Sequence, residues 1–280
     1  MRTDIQWYPG HMTKTRREIE AQLKFVDLVA ELLDARLPQS SRNPDIDSIA
    51  AGKPRLIILN KSDLADRKIT IAWAEKFRAQ GLGAVITDCK SGYGIDKIKP
   101  AAFSLLAEKR ARDQAKGMSK TVRMMVCGIP NVGKSALINR LAGGKKARVE
   151  DRPGVTRARQ WITVDNEFEL MDTAGVLWPK FEDKDAAVRL ALTGAIKDTV
   201  LDTAELALKM LEYLSQTEPE TLKARYDIDL DGTPLELFER ICKRRGMLIK
   251  GGEPDYDRCA TMLLDELRAG KLGAVSFEKP

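Results

Sequence analysis

Two short strings in this chain combine residue types and spacing that could do chemistry, Asn60-Lys61-Ser62-Asp63 and Gly128-Ile129-Pro130-Asn131-Val132-Gly133-Lys134-Ser135. The second fits G-x-x-x-x-G-K-S. Gly128 and Gly133 let the backbone wrap so that loop amides, those of Asn131, Val132 and Gly133 among them, face phosphate oxygens at a helix N-terminus. Lys134 can then reach the β- and γ-phosphates, and the Ser135 hydroxyl can sit on Mg²⁺. The first string ends in a carboxylate, which only accepts hydrogen bonds. Guanine presents an N1–H and a 2-amino group side by side and adenine does not, so Asp63 can tell them apart, with Asn60 and Lys61 buttressing the loop and covering the base. A glycine-rich turn with a chance lysine, or a polar turn after a strand, would be the ordinary reading of either string alone. Together, in strand-loop contexts, they specify GTP.

Further candidates lie downstream. Asp172-Thr173-Ala174-Gly175 closes an apolar strand, where Asp172 can hold the Mg²⁺ shell and the Gly175 amide can sense the γ-phosphate. Thr156, in the basic loop Asp151–Thr156, is the candidate hydroxyl that completes Mg²⁺ coordination; the alternative is an ordinary loop threonine. Asp88-Cys89-Lys90, after the strand Ala84–Thr87, is read as a second guanine-binding loop. The residue after Asp172–Gly175 is Val176, which cannot orient a water as a glutamine there would, so intrinsic hydrolysis is expected to be slow.

The elements that must position these residues follow from periodicity. Strands are expected near Leu28–Leu33, Arg55–Leu59, Ala84–Thr87, Val122–Cys127, Gln160–Val164 and Phe168–Met171, with helices at Lys14–Lys24, Arg67–Ala79 and Ile95–Arg112. This is an α/β fold with a mostly parallel six-stranded sheet and one antiparallel strand. The guanine string precedes the phosphate loop, the reverse of the ordinary order. The domain is therefore read as a circularly permuted P-loop GTPase domain, with polar Arg110–Lys120 joining what would otherwise be its ends. From Asp185 the pattern turns helical, at Val200–Leu214, Pro234–Arg244 and Tyr256–Arg268. The expected division is a GTPase domain over 1–183 and a small all-helical C-terminal domain over 184–280, positioned to bind RNA or the ribosome.

At this point the residues match a family. Trp7-Tyr8-Pro9-Gly10-His11-Met12 resembles W-[FY]-P-G-H-M, and Asp34-Ala35-Arg36-Leu37-Pro38 resembles D-A-R-x-P, of the ribosome biogenesis GTPase A (RbgA/YlqF) family. With the GTP motifs, the resemblance runs from about Gln6 to Gly175. Asp88-Cys89 departs from the small polar residues often found in the family's second guanine loop. The resemblance implies that His11 is catalytic, orienting the attacking water, although it could instead dock the N-terminal segment. It implies that Asn131 holds K⁺ against the phosphates, where the plainer role is capping its own loop. It also implies a K⁺- and ribosome-stimulated GTPase that acts on the assembling large ribosomal subunit, contacting rRNA and ribosomal proteins at a late step.

Composition bounds the alternatives. The 280 residues carry a net charge of +6, gathered in clusters such as Lys145-Lys146-Ala147-Arg148, Arg157-Ala158-Arg159 and Lys243-Arg244-Arg245, which suit a phosphate backbone. Four widely spaced cysteines form no metal pattern and no disulfide framework. Neither a membrane span nor a signal peptide is evident, so a cytoplasmic monomer is expected. Two other functions stay open: an RNA-binding scaffold whose GTP is structural and slowly hydrolysed, and a GTPase acting on tRNA or a translation factor.

Overall fold

A computed structural model describes residues 20–44, 46–50, 52–143, 149–150, 160–172, 184–198 and 201–280. Two compact units divide the chain: Met1–Glu182 together with Glu278–Pro280, and Asp183–Phe277.

The first unit is built on a sheet. Leu-Val-Ala-Glu-Leu-Leu-Asp of β1 (Leu28–Asp34) is nearly continuous apolar sequence, the pattern of a parallel strand covered on both faces, and every residue of it is buried. With β2 (Arg55–Asn60), β3 (Gly83–Ile86), β4 (Val122–Gly128), β5 (Val149–Glu150), β6 (Gln160–Asp165) and β7 (Phe168–Asp172) it forms a seven-stranded sheet of order β3-β2-β1-β4-β7-β6-β5. Among the described strands only β6 runs against the others. The six strands expected from sequence are present. The seventh, β5, is two residues long and carries no periodic signal.

Strand register sets the site. Asp34 pairs with Asn60, Leu32 with Gly128, and Val126 with Asp172. The carboxyl ends of β1, β2, β4 and β7 thus come level with one another, where an open α/β sheet places its ligand crevice.

The helix Arg67–Ala79 begins where the Asp66 side chain accepts the Ile69 amide at 2.9 Å. It buries Thr70, Trp73, Ala74 and Phe77, a 3.6-residue stripe. That stripe packs with Leu33, Ile57, Leu59 and Ala84 of the sheet. The single helix expected over Ile95–Arg112 is instead a short 3₁₀ turn and two helices, Ile98–Leu105 and Ala107–Ala115. Leu106 leaves helical backbone and is itself buried, and the second helix buries none of its residues. A polar helix has no apolar stripe to hold it in line with the first.

The second unit is helical among its described residues: Lys184–Leu192, Thr203–Thr217, Pro219–Tyr226, Pro234–Arg244 and Tyr256–Arg268. Thr233 and Glu236 form a reciprocal capping box before the fourth. Met210, Leu214, Leu222, Phe238, Ile241 and Leu263 fill its core.

Candidate functional site

The phosphate loop leaves β4 at Gly128. Ile129 and Val132 are buried and anchor it, while Asn131 is exposed. Asn131 (φ 58°) and Gly133 (φ 104°) both adopt left-handed backbone before the helix Lys134–Leu141 starts. Asparagine tolerates that conformation better than most residues. At Gly133 a Cβ would lie 2.4 Å from Asn60 Nδ2, so any side chain there would have to displace that amide. Lys134 opens the helix, and its ammonium is held below the usual lysine range by burial, against the opposing pull of the Asp172 charge. Ser135 follows on the exposed face of the first turn. A serine hydroxyl and the Asp172 carboxylate are oxygen donors of the kind that Mg²⁺ accepts, and Mg²⁺ needs few of them from a protein.

Asn60 is the hub. Its Nδ2 donates to the Val132 carbonyl at 2.8 Å, and its Oδ1 accepts from the Cys89 amide at 3.0 Å and the Thr87 hydroxyl at 3.3 Å. One buried amide thus joins the phosphate loop, the end of β2 and the loop after β3. Lys61 next to it is left-handed (φ 58°, ψ 36°), a conformation that costs a side-chain-bearing residue on the order of 1 kcal/mol or more. Asp63 lies in the 3₁₀ turn Ser62–Leu64 and is exposed. Its carboxyl is raised from the usual aspartate value, first by partial desolvation at the loop and then by the charge of Asp88.

The loop after β3 is folded largely by Asp88. Its carboxylate accepts the amides of Lys90 (2.8 Å) and Ser91 (3.0 Å). Burial would raise this carboxyl, but the hydrogen bonds from Ser91 and Lys90 outweigh it and hold the group below its usual value. The Cys89 thiol is buried, which pushes it up to about 11. It stays protonated and hydrogen-bonded with the Thr87 side chain, while the backbone amide and carbonyl of Cys89 meet Asn60 and Arg140. Gly94 closes the loop with φ 72°, where a Cβ would meet the Ile86 carbonyl oxygen at 2.1 Å. A cavity of about 430 Å³, of small-molecule size, opens here, with Ser62, Asp63, Arg67, Asp88 and Tyr93 in its lining.

The structure therefore brings together Asn60, Val132, Gly133 and Cys89 by direct contact, sets Asp63 near Asp88, and puts Lys134 within the field of Asp172. His11, Thr156 and Gly175, also expected in the site, lie outside the described residues. Two participants went unassigned in the sequence. Arg140, on the helix after the phosphate loop, donates from Nε to the Cys89 carbonyl at 3.1 Å and from Nη2 to that of Lys90. Asp34 accepts an ion pair from Lys61 Nζ at 3.2 Å. Its only sequence signal was its place in the D-A-R-x-P string.

A family model described as a 50S ribosome-binding GTPase matches residues 123–231. The matched stretch includes the phosphate loop and excludes Asn60–Asp63, which precede it in this chain. "Ribosome biogenesis GTPase A" of Priestia megaterium is 50% identical over 279 residues, covering 99% of this chain and 97% of that protein. The chain belongs to the ribosome biogenesis GTPase A family. Solved structures agree with that placement. A GDP-bound structure of TM YlqF superposes with a TM-score of 0.70 at 28% identity, covering 94% of this chain and 99% of that one. A GNP-bound YlqF from T. maritima gives 0.65 at 28% identity, with 95% and 98% covered.

Proposed function

We propose that this protein binds GTP and hydrolyses it while docked on the assembling large ribosomal subunit, promoting a late maturation step. The observation that carries the nucleotide part is the Asn60 bridge, which ties a guanine-reading string to a phosphate-cradling one. Membership of the family, and the names of its relatives, support the ribosomal part.

In this reading Asp63 takes the N1–H and 2-amino group of guanine, with Asn60, Lys61, Asp88 and Cys89 shaping the base site. The amides of Asn131, Val132, Gly133 and Gly175 and the ammonium of Lys134 hold the phosphates. Ser135, Thr156 and Asp172 would hold Mg²⁺, which when bound neutralises charge on the phosphate oxygens. Asn131 would hold K⁺ against the phosphates, adding positive charge there. His11 orients the attacking water, a task that Val176 cannot do. K⁺ and the ribosome both raise the rate.

GTPase domain 1–183 carries this chemistry, and helical domain 184–280 binds rRNA or ribosomal proteins. Lys243, Arg244 and Arg245 are exposed at the end of the helix Pro234–Arg244, and clustered cations gain from displacing counterions on RNA. No described helix is long and apolar enough to cross a membrane. A cytoplasmic monomer fits these roles.

Val176 in place of glutamine favours a second reading, an RNA-binding scaffold with a structural, slowly hydrolysed GTP. Sedimentation with purified large-subunit particles tests the ribosomal docking in either case. The assembly-GTPase reading expects co-sedimentation with a non-hydrolysable GTP analogue and release with GDP. Association that ignores the nucleotide, or that is equally strong with tRNA, would overturn it.

A further inference from the structure

Asp34, the last residue of β1, is 1 % exposed and lies beside Asn60 in strand register. Its carboxylate is fixed at both oxygens by Arg36. Oδ1 accepts from the Arg36 amide (3.1 Å) and Nε (2.9 Å), and Oδ2 accepts from Nη2 (2.8 Å). The Asp34 amide donates to Ser41 Oγ at 3.1 Å, and that hydroxyl donates to the Leu37 carbonyl at 2.8 Å. The loop after β1 thus closes around a single carboxylate.

This arrangement is a poor source of stability. Arg36 is 1 % exposed, and among the described residues its Nη1 has no hydrogen-bond partner. Desolvating such a pair costs about as much as its attraction returns, and apolar replacements are often no less stable. What the pair does accomplish is geometric. It locks the carboxylate so that Oδ2 also faces Lys61 Nζ at 3.2 Å. Lys61 has a long side chain that would otherwise sample many rotamers.

We propose that Asp34 is a positioning residue of the nucleotide site: held from behind by Arg36, it fixes Lys61 over the face of the guanine base. The proposal rests on the guanine reading of Asn60–Asp63. Lys61 covers a ring face and does not read the ring's edge. Losing its anchor should therefore weaken guanine and hypoxanthine nucleotides alike, whereas losing Asp63 should abolish the distinction between them.

The test is a set of GDP and IDP titrations on the full chain, with the thermal midpoint of each variant measured alongside. Replacing the buried pair by apolar residues, Asp34→Leu with Arg36→Met, removes the anchor without stranding a charge. Kd should rise by about tenfold, a usual coupling within one network, equally for GDP and IDP and with the midpoint retained. In a Lys61→Met background the same replacement should change nothing further. Should the paired replacement fail to fold, Asp34→Asn carries the same cycle. An unchanged Kd in a folded variant, or additivity with Lys61→Met, would overturn the proposal. Asp63→Asn separates the two levels of failure. If it collapses the GDP preference while the Asp34 variants are silent, positioning alone is wrong; if it too is silent, the guanine reading itself is wrong.

Discussion

Asn60 Nδ2 and the Val132 carbonyl oxygen lie 2.8 Å apart across 72 residues of sequence. This one hydrogen bond holds the phosphate loop against the Asn60–Asp63 loop, so the segments we propose for base and phosphate share a buried residue. Asn60→Ala leaves the Val132 carbonyl, the Cys89 amide and the Thr87 hydroxyl without their Asn60 partner, all on buried residues. Each stranded group costs about 1–3 kcal/mol. Urea denaturation should show a loss of several kcal/mol, and GDP titration should show affinity falling with it.

Gly133→Ala attacks the same bridge from the other side. The new Cβ would press on Asn60 Nδ2 in a backbone at φ 104°. Left-handed strain alone costs about 1–2 kcal/mol, and the displaced amide adds to it. Circular dichroism should stay native while nucleotide affinity is lost.

Asp63→Asn exchanges an acceptor for a side chain that also donates. Affinity for GTP should fall about a hundredfold, in line with the worth of hydrogen bonds to a charged group. Xanthosine triphosphate, which presents an acceptor where guanine has its 2-amino group, should bind better than it does to the parent. Competition titrations with the two nucleotides read both changes.

Asp34 makes stability depend on pH. Burial by itself would raise its carboxyl, but the charge of Arg36, then that of Lys61, and the Arg36 hydrogen bonds reverse this and hold it well below the carboxylate range. A depressed folded-state pKa contributes stability that is present in full above the unfolded value of about 4 and is lost as pH falls below it. Urea midpoints measured from about pH 6 down to about pH 3, roughly two units above that value to one below it, should drop more steeply for the parent than for Asp34→Leu/Arg36→Met.

Glu278 should matter to the first unit despite its place near the chain's end. Its carboxylate accepts the amides of Gln39 (2.7 Å) and Ser40 (3.1 Å) and the Ser40 hydroxyl, and its carbonyl accepts Trp73 Nε1 at 3.2 Å. Glu278→Ala should cost about 1–2 kcal/mol, the sum of a few net hydrogen bonds of which part are solvent-screened. Thermal unfolding should show a midpoint lower by a few degrees.

What could be read from the sequence is what is local. The apolar run Leu28–Leu33, the periodicity of Arg67–Ala79 and the spacing from Gly128 to Ser135 each act within a few residues, and their elements appear where expected. The helix Pro219–Tyr226 is absent from the sequence reading because it is short and buries only Leu222 and Tyr226, too little for an apolar stripe to mark it. Leu106 splits an expected helix through its burial, a tertiary fact. The side-chain links between distant segments, Asn60 to Val132, Lys61 to Asp34, Arg140 to Cys89 and Glu278 to Ser40, are beyond periodicity altogether. They depend on strand register and on rotamers that only the assembled sheet selects.

GTP hydrolysis by the purified chain, with and without large ribosomal subunits and in KCl against NaCl, tests the central claim most directly. The account predicts slow turnover alone, marked stimulation by the subunits, and a further dependence on K⁺. Tight GTP binding with turnover that subunits do not raise would contradict it and leave a nucleotide-dependent scaffold.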